Sequence, residues 1–507
     1  MADIAFASGI MTSEHTDKQI VLVAPGSNRV QIGGALLHLP LSLLSIASWL
    51  RREKTYENSI RILDMNIHEL STTDFETALI IGITAMTGHQ LYYGLQAARF
   101  ARQANPDVVI VWGGIHPSLL PEQTIKHHLV DAVVIGEGEE TFKDVVDAVF
   151  TGKEIARIPG TCVQNPDETI VIGAQRAYLS MNQLPLPAYD LINIQDYHGI
   201  EYQFDYQSSR GCPFRCGFCY NTVFSGRKWR AKNAGKVVEE LHYLQNKYKV
   251  RNFGFVDDEF FIDIKRAESI ANGIIEKGLD CGIIASCRLD IIRKFSSSSL
   301  TALKKAGFIQ LFFGAESGSD ETLQCIEKDI TTNDIISGAR KVAESGIRPI
   351  LSFMGGFPGE TYYRFEKTLD VIQTLWDTHP LVTINGIFPF NAYPGTDLYQ
   401  KSLELGLKTP ETLDEWGSWT FQYQPDNPWL DKKMKKWIQV CFYIVRFRYY
   451  LVRYQDRHKN GFRVLLLKLL VLPLSISAKI RWSTRWFGYA WEWHLFAFLV
   501  RKSFGYL

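Results

Sequence analysis

Short apolar runs alternate with amphipathic stretches along the first 150 residues. Five runs are rich in β-branched residues and nearly free of polar ones: IVLVAP from Ile20, IRILDM from Ile60, ALIIGITAM from Ala78, VVIVWGG from Val108 and DAVVIGEG from Asp131. Strands that are buried on both faces have this composition. Between them, segments such as GLQAARFARQA repeat apolar residues at intervals of three and four, as helices do. The alternation predicts an α/β domain over residues 1–150, built as a doubly wound parallel sheet.

The predicted carboxyl ends of these strands are rich in glycine and carry few bulky side chains. They correspond to residues 26–34, 84–88, 113–117 and 136–140. Ligands of doubly wound sheets bind beyond the carboxyl ends of the strands. We therefore expect a ligand at this edge of the first domain.

A second α/β region follows a change in pattern. Residues 151–200 carry prolines and polar turns with little periodicity and are predicted to be a linker. Residues 201–425 contain six strand-like runs that alternate with helical ones: FDYQSSRG, RNFGFVDDEFF, CGIIASCRLDII, FIQLFFGAESG, RPILSFMGGFPG and VTINGIFPFNAYPG. Six βα units are fewer than the eight of a closed barrel, so this region is predicted to be a partial, open barrel.

The last region, residues 426–507, is predicted to be helical and differs in charge. Residues 431–507 contain 16 Lys and Arg against 3 Asp and Glu, 5 of the 12 Trp, and no run of about 18 uncharged apolar residues. Basic residues mixed with Trp, Phe and Leu favour the headgroup region of an anionic membrane, so peripheral membrane contact is one prediction. The alternative is that these helices cap the open side of the barrel and pack as core.

Composition narrows the class of protein. The chain has 507 residues, 46% of them hydrophobic and 21% charged, which indicates a folded protein of about three domains and excludes a disordered one. The net charge of +1 does not favour binding to nucleic acid. The charge is unevenly distributed, because residues 1–430 have a net charge of −12 and the tail is basic. Eight cysteines and a polar start without a signal-peptide pattern predict a cytoplasmic protein. If the tail does contact a membrane, it would place the protein on the inner face.

Three of the cysteines form the strongest chemical motif. GCPFRCGFCY places Cys212, Cys216 and Cys219 at C-x3-C-x2-C spacing directly after the first predicted barrel strand. Three thiolates can hold three irons of a cubane cluster and leave the fourth iron open. A structural zinc site is the alternative, but it needs four ligands, and the sequence has no second C-x2-C pair or H-x3-H. The spacing therefore favours a [4Fe-4S] cluster.

The motif C-x3-C-x-aromatic-C at the start of a six-unit partial barrel resembles the radical S-adenosylmethionine superfamily. In that family the amino and carboxyl groups of S-adenosylmethionine chelate the open iron, and one electron from the cluster cleaves the sulfonium to a 5′-deoxyadenosyl radical. The resemblance implies S-adenosylmethionine as a cofactor and an electron donor such as flavodoxin or ferredoxin.

The resemblance also implies contacts to S-adenosylmethionine. Phe218 would pack on the adenine side. The methionine ammonium would be met by Asp257, Asp258 and Glu259. The ribose and carboxylate would be met by Ser286, Arg288, Glu316 and Ser317, while Gly355, Gly356 and Gly359 would let the fifth strand approach the adenosine. The structural alternatives are a helix-start carboxylate at Glu316, an ordinary salt bridge at Arg288 and simple turns at the glycines.

The first domain, with GITAMTGHQ, WGGIHPSLLPEQT and VVIGEGEETF, resembles that of the cobalamin-binding subfamily, and the match covers nearly all of residues 18–420. The subfamily includes cobalamin-dependent radical methylases and the anaerobic ring-forming cyclase of bacteriochlorophyll synthesis. The resemblance implies cobalamin, with its nucleotide tail and corrin edge against Thr84, Thr87, Gly113 and Gly114. A nicotinamide-binding sheet is disfavoured, because APGSNRVQIGG lacks G-x-G-x-x-G spacing.

The expected cobalt ligand is missing from the first loop. Many cobalamin domains carry Asp-x-His-x-x-Gly after the first strand, whereas APGSNRVQIGG has no histidine. Asp64 and His68 in DMNIHEL follow the second strand at the wrong spacing. The cobalt is therefore expected to be base-off without a histidine ligand, or cobalamin is not bound. His116 is a candidate ligand, but a hydrogen-bonding role in the loop is expected for it.

Three functions are consistent with these motifs. The first is an enzyme that abstracts a hydrogen from an unactivated carbon and methylates it from cobalamin, with a small hydrophobic substrate such as a lipid, terpenoid or porphyrin-like pigment. The second is an oxidative cyclase or rearrangement enzyme of the same architecture. The third is a membrane-anchored cobalamin or redox sensor, which the intact cysteine motif disfavours because a sensor does not need an adenosine site.

Overall fold

The computed structural model describes residues 18–27, 37–197, 203–419, 427–457, 462–492 and 494–495. Its first sheet has seven strands: β1 Gln19–Ala24, β2 Ile60–Asp64, β3 Ala78–Thr84, β4 Val109–Gly113, β5 Ala132–Val134, β6 Thr161–Gln164 and β7 Ile170–Ile172. The order is β2-β1-β3-β4-β5-β6-β7, with β1 to β5 parallel. The five predicted strands are therefore confirmed, and the strand order reverses between β1 and β3, where doubly wound sheets bind ligands.

The segment predicted to be a linker contributes two further strands. β6 pairs antiparallel with β5 and β7 pairs antiparallel with β6, so the first sheet extends to Ile172. Residues 151–200 were predicted to be only a linker, but two of their segments, β6 and β7, belong to the first sheet. The strands lack a clear pattern because β7 is a three-residue, partly exposed edge strand.

The second sheet is the predicted partial barrel. Its strands are β8 Phe204–Tyr206, β11 Asn252–Phe255, β12 Gly282–Ser286, β13 Phe308–Glu316, β14 Arg348–Gly355 and β15 Thr383–Pro389. All six are parallel, in the order β15-β14-β13-β12-β11-β8, so β8 and β15 are its two edges. A short antiparallel pair, β9 Ser209–Arg210 and β10 Arg230–Ala231, follows β8.

Helices cover both sheets. They are α1 Leu41–Leu50, α2 His89–Ala104, α3 Ile115–Leu119, α4 Pro121–Ile125, α5 Gly138–Thr151, α6 Asn221–Phe224, α7 Ala234–Tyr248, α8 Ile264–Glu276, α9 Leu289–Ile292, α10 Ser297–Lys305, α11 Asp320–Cys325, α12 Thr332–Glu344, α13 Tyr362–Thr378, α14 Asp397–Glu404, α15 Leu413–Trp416, α16 Lys432–Arg457 and α17 Phe462–Ser483. Side-chain caps start several of them. Thr331, for example, accepts a hydrogen bond from the Asp334 N–H, and the Asp334 carboxylate accepts one in return from the Thr331 N–H.

The tail divides into two parts. The first turns of α16 pack on β15 and bury Met434, Ile438, Cys441 and Ile444, as the capping alternative predicts. Farther along, α17 leaves Leu472, Ile476 and Ile480 more than half exposed. No helix in the part of the chain that the structure describes is long and apolar enough to cross a membrane.

Candidate active site

A cavity of about 530 Å³ lies between the two sheets at the carboxyl ends of their strands. From the first domain it is lined by Leu22, Thr84, Gly113 and Gly114, among others; from the barrel it is lined by Gln207, Arg210, Tyr220, Val256 and Asp258. Tyr220 follows Cys219 directly, so the cavity reaches the cysteine loop. The edge predicted to bind a ligand and the predicted cluster loop therefore meet in one space. The predicted ligand loop at residues 28–34 lies outside the described residues.

Glycines form much of the first domain's side of this cavity, and two of them differ in what they require. A Cβ on Gly113 would lie 3.7 Å from Val134, which is ordinary contact. Gly114 has φ +93°, and a Cβ there would lie 2.7 Å from Thr84 Oγ1 and 2.8 Å from the Ala85 nitrogen. Gly114 is needed for the backbone turn itself. Gly113 instead keeps a lining position free of a side chain, as a large flat ligand requires.

Thr84 and Thr87 have different positions. Thr84 lines the cavity, whereas Thr87 does not; its hydroxyl pairs with His116 Nδ1 at 2.9 Å. His116 is fully buried against Trp416, with ring centroids 5.3 Å apart, and burial lowers the pKa of its imidazole to about 3. His116 thus has the loop hydrogen-bonding role that the sequence predicts, and its partner lies on the neighbouring loop after β3.

Partly buried ion pairs join the first domain to the segments on either side of the cysteine loop. Arg210, two residues before Cys212, donates to Glu139 Oε1 at 2.6 Å, and Ser45 Oγ donates to the same oxygen at 2.7 Å. Burial alone would raise the pKa of Glu139, but the Arg210 guanidinium and these hydrogen bonds hold it below its usual value. Arg230 makes a second ion pair, with Glu137. These contacts fix the orientation of the cavity's two walls.

The three cysteines lie on the loop between β9 and α6. Burial raises the pKa of the Cys212 thiol to about 12 and that of Cys219 to about 11. Cys216 is buried, and Arg288 Nη1 lies 3.6 Å from its sulfur. Free thiolates would be costly in this environment, so iron ligation and nearby cations are what would stabilise them.

The loop fits a cubane cluster better than a single ion. Among the described residues, no three His, Cys, Asp or Glu side chains converge as they would around one metal ion. In a cubane each thiolate binds its own iron, so the sulfurs need not converge. The donor set is three thiols with two buried cations, Arg288 and Lys328, beside them. Positive charge of this kind compensates the negative charge of a thiolate-bound cluster.

The three acidic residues after β11 have separate environments. Asp257 is enclosed by the β8–β9 turn, accepting from the Ser208 N–H at 2.7 Å and the Ser208 hydroxyl at 2.6 Å. Asp258 is exposed to the cavity and accepts from the Gly211 N–H at 2.8 Å. Glu259 is buried, and burial raises its pKa to about 8; among the described residues, the Phe261 N–H is its one hydrogen-bond donor, at 3.2 Å. Of the three, Asp257 is fully used in holding its own loop.

Arg288 and Glu316 both contact Lys328, and Arg288 also contacts Cys216 of the cysteine loop. Arg288 stacks over Phe214 at 3.8 Å and donates to the Lys328 carbonyl at 2.5 Å. Lys328 Nζ in turn donates to Glu316 Oε1 at 2.9 Å. Glu316 has φ +61°, a conformation that costs energy for a residue with a side chain and that is concentrated at functional sites. Ser286 is the last residue of β12, two residues before Arg288, and is half-buried.

Four other predicted contact residues are in different surroundings. Ser317 Oγ accepts from the Ser319 N–H at 3.1 Å, a bond within its own turn. Phe218 packs near Phe357, with ring centroids 6.1 Å apart. A Cβ on Gly355 would lie 2.6 Å from Phe365, and one on Gly356 would lie 2.9 Å from Leu430. The absence of a side chain at these two glycines therefore lets α13 and the segment before α16 pack closely, and does not leave open space for a ligand.

Sequence reasoning missed several residues of this site. Lys328 and Glu139 are buried charges and Arg210 is a partly buried one, and their partners lie 12 to 71 residues away along the chain. Nothing local distinguishes Lys328 and Arg210 from solvated charges. The one usable signal was the excess of acidic residues in GEGEE at the end of β5, which contains both Glu137 and Glu139.

Comparisons with known proteins agree with this architecture. The Radical SAM superfamily model matches residues 206–372, and the B12 binding domain model matches residues 34–146. An uncharacterized methyltransferase of Pyrococcus horikoshii, PH0819, is 32% identical over 73% of this chain and 79% of its own length. The anaerobic magnesium-protoporphyrin IX monomethyl ester cyclase of Rubrivivax gelatinosus is 27% identical over 65% of this chain and 59% of its own length.

The fold is also similar to that of a solved protein. The cobalamin-dependent S-adenosylmethionine radical enzyme OxsB, with aqua-cobalamin bound, superposes with a TM-score of 0.74 at 15% identity, covering 96% of this chain and 76% of OxsB. The protein is thus an α/β radical S-adenosylmethionine enzyme with a cobalamin-binding domain. The chain belongs to the family that includes the Pyrococcus methyltransferase, and its cofactors are a [4Fe-4S] cluster, S-adenosylmethionine and cobalamin.

Proposed function

We propose that this enzyme methylates an unactivated carbon of a small hydrophobic substrate. The observation that carries the proposal is the single cavity lined both by the glycine-rich edge of the first sheet and by Tyr220 beside the cysteine loop. When bound, S-adenosylmethionine with the cluster supplies a hydrogen-abstracting radical, and cobalamin supplies the methyl group. A substrate held between Val256, Asp258 and Tyr220 would be reachable from both sides. The Arg210–Glu139 ion pair holds the walls together and so keeps that geometry fixed.

The cofactor contacts follow from the same arrangement. Cys212, Cys216 and Cys219 would hold the cluster, with Arg288 and Lys328 beside it. Phe218, Glu259, Ser286 and Glu316 remain available to S-adenosylmethionine, and Thr84, Gly113 and Gly114 to cobalamin. Asp257, Ser317, Thr87, Gly355 and Gly356 support this site through their local contacts and are assigned no direct contact.

Product analysis tests methylation against cyclisation. The reconstituted enzyme is incubated anaerobically with reductant, S-adenosylmethionine carrying a deuterated methyl group, and a lipid extract from cells that lack the gene. We expect S-adenosylhomocysteine and 5′-deoxyadenosine to form together, with the deuterated methyl group in one extract component. Formation of 5′-deoxyadenosine without S-adenosylhomocysteine would contradict methylation and favour the cyclase that the Rubrivivax relative suggests.

We also propose that the C-terminal helices bring the enzyme to a membrane surface that contains its substrate. Leu472, Ile476 and Ile480 follow one face of α17 at intervals of four, and Trp486 and Tyr489 beyond it are about 60% exposed. The net charge of +13 over residues 431–507 complements anionic lipid. We call these five side chains the α17 surface. It is separate from the face of α16 that packs on β15.

Vesicle binding tests the α17 surface. We expect the protein to co-sediment with phosphatidylglycerol vesicles at low salt, and to bind them less as salt rises, because basic residues contribute to binding. The double variant Ile476→Asp, Ile480→Asp should bind at least about tenfold more weakly, since two apolar contacts become charged. Ile172→Asp, on an exposed edge strand of the first domain, is the matched control and should bind normally. Equal binding by all three proteins would assign the attraction to another surface.

A further inference from the structure

His38 lies at the wall of the cavity, in the segment that leads into α1. Its Nδ1 is 3.1 Å and 3.0 Å from the two carboxylate oxygens of Asp205. Asp205 belongs to β8 of the barrel, so the pair connects the two domains across 167 residues of sequence. The histidine side chain is 47% exposed, whereas the Asp205 side chain is 2% exposed. The buried Asp205 carboxylate therefore orients the imidazole of His38, and the exposed part of the ring lines the cavity.

The Asp205 carboxylate is itself firmly positioned. It also accepts hydrogen bonds from the Leu39 N–H at 2.9 Å and from Gln203 Nε2 at 3.1 Å. Because a carboxylate only accepts hydrogen bonds, Nδ1 of His38 is the nitrogen that donates to Asp205, and in the neutral imidazole this tautomer leaves the lone pair on Nε2. Nε2 of His38 makes no hydrogen bond to any residue in the described part of the chain.

This pattern is the one that metal-binding histidines use. A histidine that ligates a metal through one ring nitrogen usually donates the other N–H to a carboxylate, which fixes the tautomer and ring orientation. Imidazole is a suitable ligand for transition metals of intermediate softness. Of the histidines in the described ranges, only His38 lines the cavity. His68 is exposed elsewhere, and His116 is buried against Trp416.

We propose that His38 Nε2 ligates the cobalt of bound cobalamin and that Asp205 is the positioning residue that orients it. The inference rests on the proposed cobalamin-dependent function. It revises the expectation that no histidine serves this role, because His38 lies four residues beyond the end of APGSNRVQIGG, the loop after the first strand. The ligand would come from the first domain and its orienting carboxylate from the barrel. Cobalt ligation would then depend on domain docking.

Electron paramagnetic resonance of the bound cob(II)alamin tests this ligand directly. The protein is loaded with cobalamin, reduced mildly, and measured at a temperature where the cluster signal is broadened. A nitrogen ligand splits the cobalt lines into triplets when it is ¹⁴N and into doublets when it is ¹⁵N. We expect triplets from the unlabelled protein and doublets from uniformly ¹⁵N-labelled protein, because the coordinating nitrogen belongs to the chain and not to cobalamin's own base.

Variants complete the test. His38→Ala and His38→Gln should lose the nitrogen splitting while the protein stays folded, since this side chain is half exposed. His68→Ala is the matched control and should keep the splitting. Asp205→Asn should keep the splitting but bind cobalamin about tenfold more weakly. Base-off cobalamin without nitrogen splitting in the wild type, or unchanged splitting in both His38 variants, would overturn the ligand. Failure of the wild type to bind any cobalamin would overturn the proposed function instead.

Discussion

Replacing Cys212, Cys216 and Cys219 together by alanine should abolish iron and sulfide retention and reduce 5′-deoxyadenosine formation at least about 100-fold. A cubane with no thiolate anchors cannot be retained on the loop. Iron and sulfide analysis after anaerobic reconstitution, together with chromatography of the nucleoside products, measures both effects. This is the largest change we expect from any substitution in the chain.

The control for this variant is Cys325→Ala, because Cys325 is exposed and lies outside the cysteine loop. It should retain a full cluster and full activity. The triple variant should also still bind cobalamin, since the glycine-rich edge of the first sheet is unchanged. S-adenosylmethionine cleavage at the wild-type rate by the triple variant would refute the assignment of the cluster to this loop.

The two sheets could be predicted from sequence because their strands are buried on both faces and therefore nearly all apolar. In β1, for example, Ile20, Val21 and Val23 have no exposed surface, and the predicted run overlaps the strand almost completely. The short strands β6 and β7 were missed for the opposite reason. β7 is at the edge, partly exposed, and too short to show a period.

The site was predictable where a short motif or the end of a strand marks its residues. The cysteine loop is one such motif. The structure shows in addition that Arg288 Nη1 lies 3.6 Å from the Cys216 sulfur. The pairs His38–Asp205 and Arg210–Glu139 join residues from different domains, and no local pattern indicates such partners. Gly355 and Gly356 show the converse limit. A glycine pair at a strand end suggests a ligand, yet here the freed space is filled by Phe365 and Leu430.

Gly113 offers the sharpest test of the cobalamin edge. Gly113→Phe should reduce cobalamin binding at least about tenfold, because a large side chain would enter the cavity where the ligand is expected, while the cluster stays intact. Gly113→Ala should bind nearly normally, since its Cβ would meet only ordinary contact with Val134 at 3.7 Å. The cobalamin absorbance that remains after gel filtration measures both variants. Gly114→Ala is a poor substitute, because positive φ and a 2.7 Å contact would disturb the fold itself.

The same pair of variants separates the two halves of the reaction. Gly113→Phe should still form 5′-deoxyadenosine, because the barrel and its cysteine loop are untouched, but S-adenosylhomocysteine should fall in proportion to the lost cobalamin. Gly113→Ala should form both products. If Gly113→Phe binds cobalamin as the wild type does, the corrin lies away from this edge and the proposed cavity is not its site. If it loses cobalamin yet still produces S-adenosylhomocysteine, methyl transfer does not depend on cobalamin, and the methylation chemistry proposed for the cavity is wrong.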